Sequence, residues 1–202
     1  MASTLRIAIL GSGAGSNARA LLERERDQQL GPTTIAGIIS DRAEAPILEH
    51  ARAFGKPAVV IAPGPSRARL DPEAQTAIIA QLRDWNVELV VLAGFMRIVG
   101  GALLDAYTGR MINLHPSLLP SFPGLDAIGQ AYRHGVRVTG CTVHWVDATV
   151  DGGRILDQAA VRREADDSLD ALKARVHQAE HRLLGDVVAR LAEQRGHLPF
   201  QP

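Results

Sequence analysis

With 202 residues, 46% of them hydrophobic and 22% charged, the chain has the make-up of an ordinary globular domain with one substantial core. Lys+Arg 22 balance Asp+Glu 22, so no bulk charge draws it to nucleic acid or to an anionic membrane. The lone cysteine, Cys141, excludes an internal disulfide and suits a reducing, cytoplasmic setting, and no apolar run has the length of a bilayer span.

The start, MASTLRIAIL, runs directly into a compact apolar segment at 5–10 and lacks the longer apolar region and cleavage site of a secretory leader. GSGAGSN at 11–17 follows, and then the helical pattern ARALLERE. Glycines there let the backbone approach a ligand, and free N–H groups at a helix start favour an anion, usually phosphate. Ser16 or Asn17 would cap the helix. Two other readings stand beside phosphate binding. A dinucleotide fingerprint would need a third glycine where Ser16 stands, and Asp41 falls late for its ribose-binding acid. The turn could also be purely structural. Without a lysine it is not a P-loop.

TIAGII at 34–39 is the second apolar run, and Pro46 suits the first turn of a helix that Gly55 stops. AVVI at 58–61 reads as a third strand. Asp71 and Pro72 open a helix through Trp85, with Ala77, Ile78 and Leu82 on one face. ELVVL at 88–92 is a fourth strand, and a fifth ends at 111–113. Apolar strands alternating with amphipathic helices predict a parallel sheet covered on both faces. After about residue 136, VTGCTVHWV and RILDQAAV are joined by only a short loop, which predicts an antiparallel pair. A long helix runs from Ser168 to about Gln194. The expected fold is a single α/β domain over residues 1–202, Rossmann-like, with a mainly parallel sheet and an antiparallel pair near the C-terminus.

Residues 111–124 read MINLHPSLLPSFPG. One residue separates Asn113 from His115, so in an extended segment both side chains project the same way. Pro116, Pro120 and Pro123 predict a rigid loop beyond them rather than a helix. VHWVDATVDGGRI at 143–155 places Asp147 and Asp151 around a sharp reversal at Gly152 and Gly153. In the bland reading this is hairpin punctuation, with His144 packed in its strand. In the functional reading Asp151 folds back to His115, orienting the imidazole and supporting its positive charge. Asn113 then donates to an oxygen where negative charge develops, worth roughly 3 kcal/mol for one such donor. The three suit acyl or formyl transfer without a covalent enzyme intermediate, because no serine nucleophile stands out and Cys141 sits mid-strand. A metal held by His115, His144, Asp147 and Asp151 is the alternative, but no HxxxH or CxxC spacing supports it and no metal is expected.

AGFMRI (93–98), NLHPSLLPSFPG (113–124), TGCTVHWVDATVDGG (139–153) and the early GSGAGSN, in this order, resemble the phosphoribosylglycinamide formyltransferase family of folate-dependent enzymes. The resemblance covers essentially the whole chain. It implies transfer of the formyl group of 10-formyltetrahydrofolate, a co-substrate, to the amine of glycinamide ribonucleotide in purine synthesis. It also implies catalysis by Asn113, His115 and Asp151, and a phosphate-holding turn at Gly15, Ser16 and Asn17, with Glu180 contacting the same substrate. The folate would lie against Met96, Arg97, Ile98, Val99 and Asn113, and along Asp147, Ala148, Thr149, Val150 and Asp151, with Arg67 near its glutamate tail. Partners would be small-molecule substrates, neither nucleic acid nor membrane, with a homodimer as the assembly to test. Methionyl-tRNA formyltransferases and formyl-folate hydrolases share the central pattern but carry a further domain that is not expected here. Asp126 and Ile128 stand where some relatives place histidines. Asp41 follows Ser40 where asparagine is usual, and no functional consequence is expected of it.

Overall fold

In the computed structural model of the chain, which describes residues 4–66 and 68–195, strand β1 (Leu5–Leu10) runs through the middle of a seven-stranded sheet. It can lie there because both of its faces are apolar. Leu5, Ile7 and Ile9 enter one core and Ala8 and Leu10 the other, all fully buried. Around it stand β2 (Thr33–Ser40), β3 (Ala58–Val60), β4 (Leu89–Ala93), β5 (Met111–His115), β6 (Val138–Trp145) and β7 (Ile155–Arg162), in the order β3-β2-β1-β4-β5-β6-β7. The first five pair in parallel. β6 is antiparallel to β5, and β7 to β6. The mixed sheet is the one expected from the sequence.

Helices α1 (Ser16–Arg26), α2 (Ile47–Ala53) and the long α6 (Leu169–Glu193) cover one face. α3 (Pro72–Asp84) and α4 (Gly101–Ala106) cover the other. Hydrogen-bonded caps start two of these helices. The Asp71 carboxylate accepts from the Ala74 N–H at 2.7 Å, and the Ser168 hydroxyl accepts from the Ala171 N–H at 3.1 Å. α5 (Ala127–His134) follows the proline-rich loop and packs against α6.

Several boundaries depart from expectation. β5 continues through His115 rather than ending at Asn113, because β6 pairs with it to the end, His115 opposite Thr142. Pro46 immediately precedes α2 instead of lying in its first turn. α4 and α5 were not anticipated, since six and eight residues are too few for a clear helical period. Neither Ser16 nor Asn17 caps α1. Gly15 takes that position with φ of +75°, and a Cβ on it would lie 2.8 Å from the Cα of Ile47. Cys141 is buried in β6, and burial pushes its thiol up to about 12, so it is no nucleophile at neutral pH.

The sheet reverses its winding between β1 and β4, and ligands of open α/β sheets bind at such a switch point, outside the carboxyl ends of the strands.

Candidate active site

A cavity of about 630 Å³ opens at that switch point. The turn at 12–17 lines it, together with Arg42 and with His177 and Glu180 of α6. Residues 92–99 and 146–151 also line it, and Asn113, His115 and His144 lie among its lining residues.

The β5–β6 register sets Asn113 directly opposite His144. The Nδ1 of His144 faces the Trp145 carbonyl at 2.8 Å, and a carbonyl only accepts, so Nδ1 carries the proton. Its Nε2 is then an acceptor, 3.1 Å from the Asn113 Nδ2. Burial lowers the His144 pKa, which keeps the ring neutral and this polarity fixed. The Asn113 amide therefore presents N–H groups, one to His144 and the other toward the Asp151 Oδ1 across a long 3.5 Å.

His115 is 5% exposed. Its Nε2 donates to the Phe122 carbonyl at 2.9 Å, and its Nδ1 lies 3.4 Å from the Asp151 Oδ2. Both ring nitrogens thus face acceptors, the arrangement a doubly protonated imidazole needs. Asp151 reaches this position from the β6–β7 turn with φ of +52°, and its Oδ2 also accepts from the Gly124 N–H at 2.8 Å. The proline-rich loop is anchored from beneath. The Thr142 hydroxyl donates to the Ser117 carbonyl at 2.7 Å and accepts from the Leu119 N–H at 3.1 Å. The structure brings Asn113, His115 and Asp151 together, and it gives His144 a role the sequence left open.

At the glycine-rich end, the first-turn amides of α1 have no side-chain cap among the described residues, so they are open to an anion. The His50 Nε2 holds the turn through the Ala14 carbonyl at 3.1 Å. Asn17 donates to the Glu180 Oε2 at 3.0 Å, and the His177 Nδ1 lies 2.8 Å from the same oxygen. That hydrogen bond raises the His177 pKa. Beside it, the segment at 94–99 is tied to the glycine-rich turn by the Met96 N–H, which donates to the Ser12 hydroxyl at 2.8 Å. Met96, Arg97, Ile98 and Val99, with Asp147, Ala148, Thr149 and Val150, all line the cavity. Arg67 lies outside the described residues. Among the described residues no three His, Cys, Asp or Glu side chains are grouped to hold a metal ion.

The formyl transferase family model matches residues 5–188. The chain belongs to the formyl transferase family. This formyl transferase is 41% identical over 186 residues to phosphoribosylglycinamide formyltransferase of Bacillus subtilis, covering 92% of the chain and 94% of that protein. It is 42% identical over 178 residues, 88% of the chain, to a stretch making up 17% of the human trifunctional purine biosynthetic protein adenosine-3. Among solved structures, glycinamide ribonucleotide transformylase 1 of Symbiobacterium toebii superposes with a TM-score of 0.89 at 44% identity, covering 95% of this chain and 89% of that one. The phosphoribosylglycinamide formyltransferase of Bacillus halodurans gives 0.89 at 40%, covering 97% and 100%.

Among the polar lining residues of this formyl transferase, Arg42 and His177 are not marked by any of the sequence motifs. A signal existed for His177, which precedes Glu180 by three residues and so shares its helix face. Nothing local marks Arg42.

Proposed function

We propose that this formyl transferase passes the formyl group of 10-formyltetrahydrofolate to the amine of glycinamide ribonucleotide. The observation that carries the reading is a single cavity in which Asn113, His115 and Asp151 meet, between an uncapped helix start and a wall of backbone and apolar groups. The ribonucleotide phosphate completes the cap of α1 at Gly15, Ser16 and Asn17. Glu180 is buried, and its Oε2 already takes both Asn17 and His177, while Oε1 accepts nothing from the described residues and is free for a ribose hydroxyl. The folate lies against 96–99 and 147–151.

The amine attacks the formyl carbon, and the carbonyl oxygen becomes an oxyanion. The Asn113 N–H that now makes only a 3.5 Å contact turns to that oxygen, and protonated His115 stabilises it from beside. Asp151 balances the His115 charge and relays the proton lost by the amine to N10 of the folate as the C–N10 bond breaks. Aligning the two substrates in one cleft supplies much of the remaining acceleration.

The test is an absorbance assay with 10-formyltetrahydrofolate, with and without glycinamide ribonucleotide, and the formyl mass increment read on the product. Turnover that requires the ribonucleotide supports the reading, whereas folate consumption without it identifies a hydrolase.

A pH dependence follows from His177. Its pKa is raised above the ordinary 6.5 by the hydrogen bond to Glu180, so its charge is present below the raised value and lost as pH climbs through it. The charge stands at the phosphate end of the cavity. The KM for the ribonucleotide should therefore rise about threefold across that window, by the modest worth of one partly exposed charge. His177→Gln should flatten the profile while the folate KM stays level.

A further inference from the structure

We propose that Asp41 is a positioning residue for the folate half of the cleft, acting through Arg97. The inference rests on the folate reading above and deepens it. Asp41 stands at the exit of β2, its side chain 1% exposed, with Oδ2 2.6 Å from the Nε of Arg97. The Arg97 side chain is only 13% exposed, and its Nη1 donates to the Ser66 carbonyl at 3.1 Å. Arg97 lies in the middle of the wall to which the folate is assigned. On one side of it the Met96 N–H is held by Ser12, and on the other the Ile98 N–H donates to the Ala68 carbonyl at 2.8 Å. This wall is irregular backbone without a helix or strand of its own. Its shape therefore depends on such attachments, among them Ser12 from the exit of β1, Asp41 from the exit of β2, and the carbonyls of Ser66 and Ala68.

Of these attachments, the Asp41–Arg97 contact is the ionic one. A guanidinium is a rigid planar fork, so fixing its Nε against a buried carboxylate also fixes the side chain and the backbone that carries it. Neutralising the carboxylate removes the negative charge held 2.6 Å from the Arg97 Nε, and with it the charge-assisted contact that fixes this side chain and the backbone at 96–98. The Oδ1 of Asp41 is buried and accepts no hydrogen bond from the described residues, so the whole effect of the carboxylate passes through Oδ2 and Arg97. Asp41 is not among the residues lining the cavity, so its influence on ligand is indirect.

The experiment compares wild type, Asp41→Asn, Arg97→Met and the double variant by steady-state kinetics in both substrates. Ribonucleotide-dependent turnover by the wild type is read first; its absence overturns the folate reading, and this inference with it. Given wild-type turnover, Asp41→Asn should raise the KM for 10-formyltetrahydrofolate five- to tenfold. The KM for glycinamide ribonucleotide and kcat should stay within twofold, the pattern of lost folate binding rather than lost chemistry. Arg97→Met should give the same folate-only shift, and Asp41→Ser, which also removes the charge at 41, carries the test if Asp41→Asn does not fold. The double variant should be no worse than the worse single one, because both remove one device. A rise in both KM values together, no change in either, or effects that multiply in the double variant would each overturn the proposal.

Discussion

Asn113→Ala should lower kcat about 10²- to 10³-fold, the cost of one donor to a developing oxyanion, while both KM values stay within about threefold. The asymmetry follows from where Asn113 stands. Its backbone is part of the β5–β6 ladder opposite His144, so truncating the side chain leaves the ladder and the loop beyond it in place. The lost group of consequence is the second amide N–H, held only loosely toward Asp151 at 3.5 Å while the first is engaged by His144. It has little to give the bound substrates and much to give the tetrahedral intermediate. Steady-state kinetics with both substrates varied would read this directly. Turnover within tenfold of wild type would remove Asn113 from the mechanism.

Asp151→Asn should cost still more, on the order of 10³-fold in kcat, within the range of a lost general acid–base group. The amide keeps the shape of the carboxylate and still offers an oxygen to the Gly124 N–H, so the turn should stay folded. What disappears is the negative charge 3.4 Å from the His115 Nδ1, and with it the group to which the proposed mechanism assigns the proton transfer between the amine and N10. Asn113→Ala combined with Asp151→Asn should fall well short of the product of the two losses, because both act on one transition state. A fully multiplicative double variant would mean that the two groups serve separate steps. Single-turnover measurements would show whether the chemical step is the one slowed.

Much of the frame was readable because its determinants are local. The apolar runs of β1, β2 and β4 and the long period of α6 announce themselves in a short window, and the alternation of strands with helices then implies the parallel sheet. The two-residue spacing of Asn113 and His115 sets their common orientation, and the reversal at Gly152 and Gly153 marks Asp151 as a carboxylate able to fold back to His115. What stayed hidden depends on pairings between distant segments. That His144 would meet Asn113 follows from the β5–β6 register, which no periodicity encodes. The partnership of Asp41 with Arg97 joins residues 56 apart in the chain, and seen alone Asp41 looked like a substitution without consequence. α4 and α5 were missed because a helix of two turns or fewer is stabilised by what it packs against more than by its own pattern.

The change from parallel to antiparallel pairing at β5 also determines which parts of the cleft can be remodelled. A parallel continuation would have required a crossover connection, usually a helix, and that helix could lie over the face where Asn113 and His144 meet. In the antiparallel return the connecting helix α5 packs against α6 instead, and the β5–β6 pair carrying Asn113 and His144 stays in the cleft as its floor, with hydrogen bonds running across it. Asn113 and His115 are fixed to that floor, whereas Asp151, the glycine-rich turn and the 94–99 wall are delivered by loops at its margins. A designer seeking a different formyl acceptor could lengthen or rewrite those margins one at a time, with two of the three side chains proposed for catalysis staying in register beneath.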